Sequence, residues 1–116
     1  MEIKRYDTGA TMSRVTEVGG MLYFSGHVAS RGETMTEQAE ALFARFDELF
    51  AQFGTDKNHM VMATIYMPDI SKKPEFNAVW DKWIDEGCAP ARVCVEAGLG
   101  DTSYMMEVSV IAVKVK

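Results

Sequence analysis

The segment ARVCVEA, residues 91 to 97, is where the chain offers chemistry. As a strand, its two-residue pleat sends Arg92, Cys94 and Glu96 to one face and Val93 and Val95 to the other. A guanidinium on an otherwise apolar strand costs on the order of several kcal/mol if it is buried without a partner. It must therefore meet a carboxylate, from the protein or from a ligand, and its planar fork matches one with two parallel hydrogen bonds. Two protein acids compete for that place. Glu96 lies on the same face, and Glu107 opens the last strand after a segment long enough for a looped β-hairpin that would bring it near Arg92. On these residues alone a structural ion pair is the favoured reading of Arg92, and a solvated or paired edge position that of Glu107. The alternative makes Glu107 a general base that polarises a water, best done with a pKa nearer neutrality than a free glutamate's.

The other reactive side chains carry weaker signals. Cys94 would need a neighbouring base or cation to become a nucleophile, so a small buried residue is expected there. Cys88 and Cys94 form neither a disulfide framework nor a CxxC pattern, which fits free thiols in a reducing compartment. His27 and His59 are too far apart for metal-ligand spacing, and solvated or capping roles are expected for them. The nine methionines suit adaptable core or interface packing. Arg14 is a candidate second cation, with a solvated strand charge as its equal alternative.

The elements that must position these groups follow from periodicity. Residues 2 to 7 and 14 to 18 read as short strands, and Gly19-Gly20 turns the chain into MLYFSG, a third. Ala39, Leu42, Phe43, Phe46, Leu49, Phe50 and Phe53 form one apolar helical stripe, opened by a Thr34/Glu37 capping box and stopped by Gly54. MVMATIYM is apolar on both faces, as an interior strand should be. A second helix enters through Pro74, carries Phe76, Val79, Trp80, Trp83 and Ile84 inward, and closes at Gly87. ARVCVEA and MEVSVIAV complete the order βββ-α-β-α-ββ.

That order points to a single α+β domain over residues 1–116, a mixed sheet with both helices on one face. Val108, Val110 and Ala112 alternate with Ser109, Ile111 and Val113, so the other face also carries apolar side chains. Two helices cannot cover both faces, and self-association is the economical solution. Seventeen acidic against twelve basic residues give a net charge of -5, which disfavours nucleic acid as a partner. The charged N-terminus lacks an apolar signal region, so a soluble cytoplasmic protein is expected, with no membrane partner.

Taken in order, YFSGHVA, EQAEALFARFDELF, MATIYMPDI, FNAVWDKW, PARVCVEAGL and MEVSVIAV resemble the Rid or YjgF-like family, most specifically in the PAR-x-C-V-E element and the glutamate-led last strand. The resemblance implies a chorismate-mutase-like fold, a homotrimer with its sheets facing inward, and clefts between subunits. It implies hydrolysis of reactive 2-imino acids such as 2-iminopropanoate to 2-keto acids and ammonia, a metabolite-repair activity without cofactor or metal. By position, Arg92 would bind the substrate carboxylate, Glu107 would orient the attacking water and Cys94 would line the pocket. Ser25 and Asn77 fall at pocket or supporting positions. The best-known branch has a tyrosine near Met12 and a glutamine at His27, so this chain resembles a divergent branch.

A second function stays open on the same residues: a non-catalytic trimer that binds small carboxylates as a sensor, suggested by the altered Met12, Arg14 and His27 surroundings. Ribonuclease or chaperone-like activity ranks behind both, because no basic patch is present.

Overall fold

Gly19 and Gly20 have φ of 57° and 81°, the two positive values that a two-residue hairpin turn demands and that glycine adopts without a Cβ penalty. They join β2 (Ser13–Val18) to β3 (Met21–His27), and β1 (Lys4–Thr8) pairs with the outer side of β2. The computed structural model describes residues 1–29 and 32–116. The remaining elements are α1 (Met35–Phe53), β4 (Met60–Met67), α2 (Lys73–Trp83), β5 (Ala91–Glu96) and β6 (Glu107–Val113), with short 3-10 turns before β4 and α2. The element order is the one read from the sequence.

Helix α1 begins at the expected capping box, in which the Thr34 side chain accepts from the Glu37 N–H and Glu37 reaches back to the Thr34 N–H. Gly54 ends it in the left-handed conformation. Pro74 sits in the first turn of α2, where its missing N–H costs no hydrogen bond. That helix stops earlier than expected. Ile84 is already extended at its C-cap, with its side chain still packed against the core, and Gly87 lies in the turn beyond.

The strands form one sheet in the order β1-β2-β3-β6-β4-β5, antiparallel except for the β4–β5 pair. Both helices lie on one face. Leu42, Phe46 and Phe50 of α1 are buried with Leu22, Phe24, Ala63, Ile65, Val108 and Val110 of the sheet. Each such large apolar side chain contributes about 1.5–3 kcal/mol by leaving water. Helix α2 joins α1 through aromatic contacts, with Phe43 stacked on Trp83 at 4.4 Å between ring centroids. The opposite face is uncovered. Val93 and Val95 of β5 and Tyr23 of β3 are exposed there, and Ile111 of β6 is half-buried. Among the described residues, no helix is long and apolar enough to cross a membrane.

Strands β5 and β6 do not form the hairpin that the sequence suggested, because β4 lies between them. The segment between β5 and β6 is a crossover, and the parallel β4–β5 pair is made through α2. The apolar character of β4 on both sides explains this, since the strand that tolerates burial takes the inner place.

Candidate active site

Arg92 leaves β5 on the helix-covered side, next to Ala63 in the register. Helix α2 meets it with three residues of one face. The guanidinium carbon lies 5.2 Å from the Trp80 ring centroid and 5.9 Å from that of Phe76. One Nη2 N–H donates to Asn77 Oδ1 at 2.6 Å. Residues 76, 77 and 80 are neighbours on a helix surface, so α2 supplies a π platform and a fixed acceptor together. Arginine carries five N–H donors, and Asn77 takes only one of them. No carboxylate lies within ion-pair distance of Arg92 among the described residues.

This corrects the ion-pair reading of Arg92. Glu96 follows it on the same strand face, but its carboxylate accepts the Ile70 N–H at 3.1 Å. Glu107 is separated from Arg92 by β4, which places the two backbones about 10 Å apart. It also points the other way. Glu107 is the register partner of Tyr66, and Tyr66 of Val95, so Glu107 shares the uncovered face with Val95 while Arg92 and Cys94 point toward the helices. Cys94 is a half-buried free thiol packed against the core, near Ile65 in the register.

Glu107 lines a cavity of about 420 Å³ on the uncovered face, with Gly26, Tyr66, Ala97, Gly98, Leu99 and Ser109. Its carboxylate presses on the backbone of β3. A Cβ at position 26 would lie 2.6 Å from Glu107 Oε2, so only glycine gives the carboxylate its place. Ladder pairing in β3 is irregular at this point, between Phe24 and His27. A bulge there turns both residues toward the helices, although three residues of regular strand would set them on opposite faces.

His27 is consequently buried rather than solvated, with its ring 5.4 Å from that of Phe46. The Ser25 carbonyl can only accept, so His27 Nδ1 carries the proton of their 2.7 Å bond. Burial holds the imidazole below its ordinary pKa; the Ser25 bond opposes this, Arg14 and Arg45 add to it, and Glu107 opposes it. His27 Nε2 and Ser25 Oγ are both buried without a hydrogen-bond partner among the described residues. Arg14, exposed on β2, lines a second cavity of about 690 Å³ with His27, Arg45, Glu48, Asp7 and Tyr104. Gly26 borders both cavities. His59, by contrast, is an exposed partner of Asp56.

The structure thus joins Arg92 to Asn77 on the helix-covered side of the sheet and sets Glu107 on the other side, against Gly26 in the bulge that turns His27 toward the helices. Two contributors were missed in the sequence. Tyr66 read only as part of an apolar strand, and Gln38, a polar residue within the apolar stripe of α1, holds the segment before β6. Its Nε2 donates to the Ser103 carbonyl at 2.8 Å and its Oε1 accepts the Met105 N–H at 2.9 Å. A glutamine among buried helix positions was the available signal.

A mixed six-stranded sheet with two helices on one face is the chorismate-mutase-like architecture of the YjgF proteins. The family model described as Endoribonuclease L-PSP matches residues 2–114, and the chain belongs to that family, the YjgF/Rid/RutC proteins. A RutC family protein of Haemophilus influenzae is 31% identical over 114 residues, covering 97% of this chain and 98% of the relative. The RutC family protein YoaB of Escherichia coli is 31% identical over 112 residues with the same coverage of both. The crystal structure of a YjgF family member from Neisseria meningitidis superposes with a TM-score of 0.95 at 37% identity, covering 100% of this chain and 98% of that one. Some members of the family are imine deaminases.

Proposed function

We propose that the chain hydrolyses reactive 2-imino acids to 2-keto acids and ammonia, at a site assembled between copies of itself. One observation carries the reading. Arg92 and Glu107 leave opposite faces of one sheet, each without an oppositely charged side chain in ion-pair distance among the described residues. A single copy cannot bring them onto one small substrate, whereas Arg92 of one copy and Glu107 of the next can meet across an interface. The uncovered sheet face, with Val93, Val95 and Tyr23 exposed, supplies the apolar surface for such a contact, and a homotrimer in the cytoplasm is the assembly proposed.

In this arrangement Arg92, oriented by Asn77, binds the substrate carboxylate with its uncommitted N–H groups. Glu107 takes a proton from the water that attacks the iminium carbon. The carbon is already electrophilic, so fixing the acid group and one water supplies much of the acceleration. Cys94, beneath Arg92, packs the wall rather than attacking. Ser25 Oγ needs a partner and would find it in water or ligand at the bulge. No step calls for a cofactor, and the role is repair of damaging metabolites.

The test generates 2-iminopropanoate in situ and follows release of keto acid and ammonia. Arg92→Ala is expected to lose about 2–4 kcal/mol of transition-state binding, roughly 30- to 1,000-fold in kcat/KM. Wild-type protein that does not accelerate release ends the deaminase reading. Arg14 and His27 at the second cavity support one other reading, a trimer that binds small carboxylates without turnover, in which Arg92→Ala abolishes binding and no imine is hydrolysed. The family description names an endoribonuclease, but a net charge of -5 argues against a phosphate-tracking surface here.

A further inference from the structure

Glu107 does not stand alone on the uncovered face. Tyr66 is its direct partner across the β4–β6 ladder, so the two side chains rise on the same side with Cβ atoms about 4.5–5.5 Å apart. Both line the 420 Å³ cavity and are the ionisable side chains among its described lining residues. Tyr66 is half-buried, and its hydroxyl makes no hydrogen bond among the described residues. A phenol in such a setting normally finds a partner for its O–H, and a ligand in the cavity would provide it. Because β4 is an interior strand, paired on both edges, the phenol is carried on a rigid element beside the carboxylate.

Hydrolysis of an iminium needs three proton movements at the reacting centre: one from water, one onto nitrogen and one from the carbinol oxygen. Water loses one proton as its oxygen bonds to the iminium carbon, and Glu107 takes it. The resulting carbinolamine nitrogen must then gain a proton before the carbon–nitrogen bond can break, because ammonia leaves far more readily than its anion. We infer that Tyr66 hands over this second proton. Its phenol gives a hydrogen to the nitrogen and is replenished by the protonated Glu107 beside it. The carbon–nitrogen bond then breaks with its electron pair on ammonia, and the carbinol proton passes to the Glu107 carboxylate as the keto group forms. That proton leaves with ammonia as ammonium, which returns Glu107 to the carboxylate and Tyr66 to the phenol. The inference rests on the deaminase reading and assigns that reaction its general acid.

The test is Tyr66→Phe in the full chain, which keeps the ring and removes one oxygen. Positioned acids contribute typically 10²–10⁴-fold, so kcat on 2-iminopropanoate is expected to fall roughly 100-fold, with KM within about threefold of wild type and unchanged sedimentation. Combined with Glu107→Gln, it should add little to the single Glu107→Gln defect, since both lie on one proton path. A Tyr66→Phe protein with kcat within twofold of wild type, or with only KM raised, overturns the assignment while Arg92→Ala and Glu107→Gln still test the reaction. A wild type without turnover removes the reaction and this inference together.

Discussion

Asn77 Oδ1 lies 2.6 Å from Arg92 Nη2, so a residue of α2 fixes the rotation of a guanidinium carried by the edge strand. The carbonyl accepts one N–H and leaves the other guanidinium donors for a ligand. Asn77→Ala should leave Arg92 charged but loosely aimed. Its expected effect is a three- to tenfold weaker affinity for pyruvate by titration calorimetry, about 1 kcal/mol for one hydrogen bond. Arg92→Lys should lose more than that, because a lysine offers no planar fork and stacks poorly on the two rings. Equal affinities in wild type and Asn77→Ala would remove the orienting role.

Gly26→Ala probes the carboxylate from behind. The new Cβ would meet Glu107 Oε2 at 2.6 Å, and the atom that must yield is the far end of a flexible side chain. Position 26 has no positive φ, so the backbone accepts alanine. The expected outcome is a small loss of stability, under about 1.5 kcal/mol, together with a large fall in kcat as the carboxylate is pushed out of register with its water. Thermal unfolding and imine turnover measured on the same preparation separate the two. An alanine variant with wild-type kcat would show that the position of Glu107 is unimportant.

Much of this frame was legible in the residues because local rules agreed. The Thr34/Glu37 box, the apolar stripe of α1, Pro74 and the paired glycines at 19 and 20 each act within a few residues and meet no competing demand. The site was less legible because it depends on strand order and on one irregularity. Nothing local to residues 91 to 107 states that β4 will insert between β5 and β6, and that insertion decides which acid Arg92 can reach. Nor does SGH announce a bulge, yet the bulge buries His27 and sets Gly26 against Glu107. Asn77 was found at its supporting position through the family resemblance, not through spacing.

His27 makes stability depend on pH. Its pKa is lowered in the folded chain, chiefly by burial, while in the unfolded chain it titrates near about 6.5. As pH falls through that value the unfolded chain takes up a proton that the folded chain refuses. The contribution is therefore fully present above the unfolded value, shrinks below it, and levels off once pH passes the folded value. Asp56, Asp69, Asp101 and Glu17 also have lowered values, but their contributions are lost only as pH falls below about 4–4.5. Denaturant midpoints at pH 7.5 and 5.0 thus isolate the histidine. Wild type should lose stability between them and His27→Phe should lose less, since phenylalanine can pack on Phe46 without a proton to bind. The same loss in both proteins would assign the pH dependence elsewhere.

Gln38 joins stability to the site most directly. It is buried in the apolar stripe of α1 and uses both ends of its amide, donating to the Gly32 and Ser103 carbonyls and accepting the Met105 N–H. Those bonds tie the segment between β5 and β6 to the helix, and Gly98 and Leu99 of that segment form part of the Glu107 cavity. Gln38→Leu keeps the volume but strips partners from three backbone groups, at a cost of about 2–4 kcal/mol, or a fall in Tm of roughly 10–15 °C. Gln38→Glu keeps an acceptor for Met105 but loses both donors and buries a carboxylate oxygen against the Gly32 and Ser103 carbonyls, so at pH 7 it should be at least as destabilising as leucine. Well below its Tm the leucine variant should still bind pyruvate through Arg92, since β5 and α2 are untouched, while kcat drops because the segment leading into Glu107 has lost its anchor. A leucine variant with wild-type Tm would mean that water replaces all three bonds, and the anchoring role would then be absent.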